Sequence, residues 1–500
     1  MIRYLTKTIT VFAFFLIPAL VGGQGIAQDA DTEIHMPSFS ELEEGWNTMK
    51  PGGETSCAHG TEYEFYTRAD DPGKLLVFLY GGGACFDAED CREGTEVYHY
   101  RANIGPEQHP SRLGGILDPY HPENPLGDYS MVAVPVCTGD VHIGNSDTTY
   151  KLETEEGDQI VFTIHHRGLT NTLSAINWVT SNFETPEKMF VAGVSAGSLG
   201  IPFHSSFLAR HYPTVPVAAI GDDASSFSAG DATATAQSYW GVPEVLHPFP
   251  GWEMYGDFTG VEDLYITGGK SASNLNLYQI DHANDYLQYF WLERTVTPNP
   301  DVFSNILENQ SSIRAALPGF RSYISGGSDH VSLVSSTRFY RYQVNGYRLR
   351  DWVAAIANGE EVPDVICEDC SRPEFIFDED DLTIINAMIS RLSTPDSWNS
   401  NDEEGPCPEG AESWSLRCAV SDVVRELMDQ SPGNYPVALD IINEAVVRTG
   451  YDRGRGSSFP ALRLYNNAPG RTHGEIMEFL ETVRERIRFQ LNNKLDNREK

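Results

Sequence analysis

Gly193-Val194-Ser195-Ala196-Gly197 sets a serine in the spacing G-x-S-x-G. Small residues around such a serine let the chain turn sharply from a strand into a helix, which lifts the hydroxyl clear of its neighbours. A serine hydroxyl is a weak nucleophile, so it needs a base within reach, and the base needs an acid to orient it. In this kind of turn the chain order is serine, acid, histidine. Beyond Ser195 the histidines are His204, His211, His247, His282, His330 and His473. His204 and His211 fall on or just past the turn's own helix, and His473 begins a helix far downstream. His330 ends the small-residue loop Ser325-Gly326-Gly327-Ser328-Asp329-His330 directly after an apolar run, the place for a base. The acid lies in one of two pairs, Asp222 with Asp223 or Asp281 with Asp285. It normally follows the later strand, which favours Asp281 or Asp285. Acyl transfer also needs donors for the developing oxyanion. Gly81-Gly82-Gly83 fits a loop of backbone N–H groups and lacks both the lysine of a phosphate-binding loop and a dinucleotide fingerprint.

These residues need elements to place them. Lys74–Tyr80, Tyr129–Cys137, Met189–Val194, Thr214–Ile220, Leu275–Ile280 and Phe320–Ile324 are short, nearly continuous apolar runs. Such runs suit strands covered on both faces. Leu169–Phe183 and Leu199–His211 carry helical spacing between them. Strands alternating with helices predict a mostly parallel sheet in an α/β domain. The glycine loop, Ser195 and His330 would then all follow strands of one sheet.

Around this core the chain divides into an apolar leader at 1–27, an α/β domain at 36–358, an acidic linker at 359–380 and a mainly helical domain at 381–500. In the leader, Arg3 and Lys7 precede the apolar run Ile9–Val21, and Gly25-Ile26-Ala27 offers small residues for cleavage. This is the pattern of a removable secretory signal, and a periplasmic or secreted protein without a stable membrane anchor is expected. In the last segment Leu382–Leu392, Cys418–Met428 and Val437–Val447 read as helices. Thr472 and Glu475 form a capping box before Ile476, Phe479, Leu480, Val483, Ile487 and Leu491.

A formal charge of −36, from 71 acidic and 35 basic side chains, repels phosphate backbones and makes a nucleic-acid partner unexpected. The eight cysteines, Cys57, Cys85, Cys91, Cys137, Cys367, Cys370, Cys407 and Cys418, favour disulfides in an exported chain. The alternative is a zinc site joining Cys367 and Cys370 to Cys407 and Cys418, whose spacing is poor for one. Cys85 and Cys91 are close enough to clip one loop.

Leu79-Tyr80-Gly81-Gly82-Gly83-Ala84-Cys85-Phe86 with Cys91, Val134-Pro135-Val136-Cys137-Thr138-Gly139-Asp140-Val141-His142-Ile143-Gly144-Asn145, and Ser195-Ala196-Gly197 together resemble the pectin acetylesterase and Notum family. The loop Ser325–His330, followed by the aromatic-rich Phe339–Trp352, is similar to that family's histidine loop. The resemblance runs over roughly 45–355. It implies an α/β-hydrolase fold and a carboxylesterase with Ser195 as nucleophile and His330 as base. The family's acid is an Asp followed three residues later by Gln, which Asp285-Tyr286-Leu287-Gln288 matches, with Asp281 in reserve. Oxyanion donors would be the backbone N–H groups of Gly82 or Gly83 and of Ala196. The resemblance also implies a Cys85–Cys91 disulfide. Two departures bear on the substrate rather than the reaction. Notum has a large aromatic residue where Gly83 stands, so the site should be roomier here. Ser198 replaces a second glycine after Ser-Ala-Gly. Asp140 and His142 read as structural or rim residues. Residues Trp398–Leu491 resemble a small helical family of unknown function through Leu464-Tyr465-Asn466-Asn467 and Pro469-Gly470-Arg471-Thr472, which implies no activity.

The expected activity is therefore removal of acyl groups, acetyl first among them, from polysaccharide or other oxygen esters, with no cofactor and no metal. The alternative is a catalytically silent glycan- or lipid-binding protein on the same fold. Intact Ser195 and His330 with acids at hand argue against it.

Overall fold

A computed structural model describes residues 36–498 apart from 93–99, 154–156, 228–237, 257–259, 296–299, 404, 409, 429–431 and 451–458. The leader at 1–27 lies outside the described residues. Met36–Lys500 is one compact unit.

Its centre is a nine-stranded sheet in the order β1-β2-β4-β3-β7-β8-β9-β10-β13. The strands are β1 (Trp46–Met49), β2 (Phe65–Arg68), β3 (Asp71–Leu79), β4 (Tyr129–Val134), β7 (Lys188–Val194), β8 (Val217–Asp222), β9 (Leu275–His282), β10 (Arg321–Ser325) and β13 (Val365–Ile366). β1 and β2 pair antiparallel at one edge, and every pairing from β4 to β13 is parallel. Along β3, Leu75, Val77 and Leu79 enter the core on one face, while Leu76 and Phe78 enter that on the other. Apolar side chains pointing both ways are why the strand reads as a continuous run. Helices α2 (Gly168–Asn182) and α3 (Ala196–His211) cover the first face through Ala175, Ile176, Val179, Ile201 and Leu208.

Parallel register brings the functional loops to one edge. Leu79 lies opposite Gly193, Val194 opposite Asp222, and Ser325 opposite His282. The residues just beyond these pairs are Gly81–Gly83, Ser195, Asp223, Asp285 and His330. The sheet, its order and the helices around it form an α/β-hydrolase fold.

The sequence reading misses several elements. β5 (Ser146–Glu153) and β6 (Gln159–His166) form a separate antiparallel hairpin. β5 is largely polar, and in β6 the apolar Ile160 and Val161 are exposed, so neither strand shows the buried alternation of a covered face. Helices α4 (Val261–Ser271), α5 (Tyr286–Thr295) and α6 (Val302–Ala316) connect the later strands.

The acidic stretch at 359–380 is more than a linker. It supplies β13 and, at Glu374–Phe375, a strand paired with Tyr342–Val344. Nor do the helices after it keep a core of their own. α9 (Glu379–Arg391), α10 (Leu416–Met428), α11 (Pro436–Thr449), α12 (Phe459–Asn466) and α13 (His473–Arg498) follow α7 (Ser336–Arg341) and α8 (Leu349–Ala357). Their Ile384, Met388, Val423, Ile441, Phe479 and Val483 share one buried cluster with Phe339, Tyr342 and Trp352 of the hydrolase. Thr337 on α7 donates its hydroxyl to the Gly433 carbonyl at 2.7 Å. The helical layer thus packs on the element that follows His330. The Thr472–Glu475 box is present, with Thr472 N–H on the Glu475 carboxylate at 2.8 Å.

All eight cysteines pair, as Cys57–Cys137, Cys85–Cys91, Cys367–Cys370 and Cys407–Cys418. Cys367 and Cys370 therefore bond to each other rather than joining Cys407 and Cys418 around zinc. Among the described residues no helix is long and apolar enough to cross a membrane.

Candidate active site

Ser195 stands between β7 and α3 with φ 53° and ψ −124°. A side chain in the left-handed region stores strain that only firm surroundings maintain. Ser195 N–H donates to the Asp222 carbonyl at 2.7 Å. Ser198 adds a second stitch: its Oγ lies 2.7 Å from the same carbonyl and accepts the Asp222 N–H at 2.8 Å. The serine that departs from the family pattern therefore ties the turn to β8. Gly197 must lack a side chain, since a Cβ there would lie 2.3 Å from the Leu79 carbonyl oxygen.

The glycine loop lies against this turn. A Cβ at Gly81 would come within 2.8 Å of Ser195 Cβ. The Gly82 carbonyl accepts the Arg101 N–H at 2.7 Å, and Gly83 bridges to Tyr100. Ala196 opens α3, where first-turn N–H groups lack intrahelical acceptors and the helix dipole favours negative charge. His142 supports the loop from behind, with Nε2 2.9 Å from the Tyr80 carbonyl and Nδ1 3.0 Å from Thr172 Oγ1. Burial lowers its pKa to about 4, so the ring is neutral and Nε2–H donates to Tyr80. Asp140, raised to about 6 by burial, accepts the Thr138 hydroxyl at 2.6 Å and the Gly168 N–H at 2.7 Å. Both act as supports of the loops around the site.

His330 and Asp285 meet. His330 Nδ1 lies 2.7 Å from Asp285 Oδ2, while the buried Nε2 has no hydrogen-bond partner among the described residues. Asp285 is held in turn by the Leu287 and Gln288 N–H groups at 2.8 and 3.1 Å on Oδ1, and by Gln288 Nε2 at 3.0 Å on Oδ2. Asp281 does not bond to the histidine. It accepts Gln310 Nε2 at 2.9 Å, the Ser225 N–H at 3.3 Å and Gln288 Nε2 at 3.5 Å. Burial, then the Asp223 charge, push its pKa well up.

Burial works to lower the His330 pKa. The Asp285 carboxylate, through charge and hydrogen bond, outweighs it with help from Asp223 and Asp222, so His330 is held above 6.5. Asp223 is raised by burial and by the charges of Asp285 and Asp222. His282 is lowered by burial and stays neutral.

Asp223, Asp285 and His330 bring ligand-type atoms within 4.8 Å of one another, close enough for a cation. Their atoms are instead engaged in N–H···O bonds, Asp285 with His330 and Asp223 with Val331 and His282. With the acid placed on the later strand, the sequence leaves Asp222 and Asp223 as capping and hydrogen-bonding residues near the site, and they do bond to the loop after His330; it assigns no role to His282, Gln310 or Arg338. None carries a motif; their signal is a polar group buried beside the site.

Such a fold, with a strained serine between strand and helix and a histidine–aspartate pair after later strands, defines an α/β-hydrolase. Residues 49–239 match the family described as Pectinacetylesterase. A stretch of 160 residues is 26% identical to the palmitoleoyl-protein carboxylesterase NOTUM of Schmidtea mediterranea, covering 31% of this chain and 28% of that protein. The hydrolase part of the chain thus resembles the pectin acetylesterase and Notum family. The family match includes Gly81–Gly83 and Ser195 and ends before Asp285 and His330.

Proposed function

We propose that this chain is an exported serine carboxylesterase that removes acyl groups, acetyl first among them, from polysaccharide or other oxygen esters. Ser195 is the nucleophile, His330 the base and Asp285 the acid, with N–H groups of Gly82, Gly83 and Ala196 as oxyanion donors. One observation carries the reading: Asp285 Oδ2, 2.7 Å from His330 Nδ1, fixes Nδ1 as the N–H donor, which leaves the lone pair on Nε2. That is the tautomer a base needs.

Ser195 Oγ attacks the ester carbonyl carbon as Nε2 takes its proton, and the carbonyl oxygen becomes an oxyanion on the backbone donors. The intermediate collapses, the C–O bond to the alcohol breaks, and His330 returns the proton to the departing oxygen. Water then attacks the acyl-serine with His330 again as base. The products are the free carboxylic acid and Ser195. Asp285 stabilises the imidazolium each time it forms. The chemistry calls for no cofactor.

The family name favours acetylated polysaccharide, and the relative's name a fatty acyl group on protein. Hydrolysis of p-nitrophenyl esters from acetate to palmitate, beside acetylated pectin and xylan, separates the two. A maximum at acetate with acetic acid released from a polysaccharide supports the proposal. A maximum at long chains moves the substrate to lipid-acylated molecules, and no turnover of any ester refutes the enzyme.

A further inference from the structure

The two aspartates closing β8 have no step in the reaction above, yet they face the loop that carries its base. Asp223 Oδ2 accepts the Val331 N–H at 2.5 Å. Asp222 Oδ2 accepts the N–H groups of Ser332 and Leu333, both at 2.8 Å. Three successive backbone donors after His330 thus end on two adjacent buried carboxylates. Val331 needs this hold. Its φ is +56°, a true outlier for a β-branched residue, and such strain persists only where the surroundings over-determine it.

Asp223 is itself fixed. The His282 N–H reaches its Oδ1 at 2.8 Å, and His282 Nδ1 lies 2.6 Å from Oδ2. His282 Nε2 meets Ser332 Oγ at 3.2 Å, which closes a ring back to the histidine loop. Asp222, Asp223, His282 and Ser332 are all buried. Each oxygen of Asp223 faces N–H groups, a pattern that a carboxylate satisfies best.

We propose that Asp223 is a positioning residue for His330: it holds the strained turn after the histidine and keeps a second carboxylate beside the imidazole. The kinetic consequences rest on the reading of Ser195, His330 and Asp285 as a triad; the geometry does not. Around His330 the other groups are Asp285 and the Tyr286 ring at the start of α5, Asp222 on β8, His282 on β9, Asp329 in the loop, and Arg338 on α7. Arg338 donates to the His330 and Val331 carbonyls at 3.1 and 2.9 Å. It pairs with Asp329 at 3.5 Å and bonds to neither ring nitrogen of His330.

Asp223→Asn is the informative variant, because asparagine tolerates the φ of +58° at this position. It removes the charge and turns an NH₂ towards N–H donors. With p-nitrophenyl acetate, kcat should fall by up to about 100-fold through misplacement of the base, with KM nearly unchanged. The acid limb of kcat/KM and the His330 ring titration followed by NMR should both move to lower pH. A merely structural role would lower Tm and leave both pH midpoints in place. If Asp223→Asn does not fold, Val331→Gly/Asp223→Asn relieves the turn and is compared with Val331→Gly alone; the same two shifts are expected. Wild-type midpoints and kcat in the folded variant overturn the proposal. Should the wild-type protein hydrolyse no ester, the triad reading fails by itself, and an unchanged His330 titration in the variant still overturns the positioning role.

Discussion

Exchanging Asp285 for asparagine tests the proposed acid while disturbing little else. In the native site Asp285 Oδ2 accepts from His330 Nδ1 at 2.7 Å and from Gln288 Nε2 at 3.0 Å. An asparagine NH₂ at that position would face two donors. Reversing the amide instead returns one acceptor without charge, and the alternative tautomer puts the proton on Nε2, where it blocks the base. In a serine triad the same substitution costs about 10⁴ in kcat, equivalent to roughly 5 kcal/mol of transition-state stabilisation. The protein should still fold, because an asparagine whose Oδ1 accepts the Leu287 and Gln288 N–H groups keeps the helix cap, at a cost of about 1–3 kcal/mol for its buried NH₂. Asp281→Asn is the matched control. That carboxyl bonds to Gln310, Ser225 and Gln288 rather than to His330, so its loss should stay within about tenfold, inside 1.4 kcal/mol. Initial rates with p-nitrophenyl acetate, beside melting curves of both variants, decide the matter. A large rate loss confined to Asp281→Asn, or Asp285→Asn within tenfold of wild type, would refute the assignment.

Ser195→Ala should lose several orders of magnitude in kcat while the melting temperature barely moves, since the hydroxyl contributes little packing. In the proposed mechanism neutral His330 is the working form, so kcat/KM should fall as pH is lowered through a midpoint above 6.5 and stay flat on the alkaline side of it. The buried Asp285, Asp223 and Asp222 cause that elevation, so added salt should shift the midpoint only slightly; a flat profile from pH 5 to 8 removes His330 from the mechanism. Replacing Cys57 and Cys137 by serine opens a link across a sequence separation of 80, and urea unfolding should show a loss of about 4 kcal/mol by the chain-entropy relation. A loss below about 1 kcal/mol would mean the unfolded chain is not loosened by removing the bridge.

What could be read in the sequence was whatever a local pattern encodes. β3, β7 and α3 are legible because a buried parallel strand must be apolar on both faces and a sharp strand–helix turn must use small residues. His330 is legible through the small-residue loop after β10. The β5–β6 hairpin was missed because its side chains do not sort into a buried and an exposed face: Ile160 and Val161 are exposed beside Thr149, Lys151 and Thr163. The shared core of hydrolase and helices was missed for another reason. Ile384 and Phe479 show which face of a helix is buried, but not that Phe339 and Trp352 lie opposite. Asp222 and Asp223 mark the same limit, since their bonds to Val331, Ser332 and Leu333 cross more than a hundred residues of chain.

The central claim is that an acyl group passes through Ser195, and trapping that intermediate tests it most directly. The protein is mixed with p-nitrophenyl acetate, quenched in acid within the first turnover, digested and examined by mass spectrometry. A single added acetyl group on the peptide containing Ser195 is predicted, accompanied by a burst of nitrophenol equal to the enzyme present. Ser195→Ala should show neither. Steady turnover without an acetyl group on Ser195, or an equal burst from Ser195→Ala, would contradict the account.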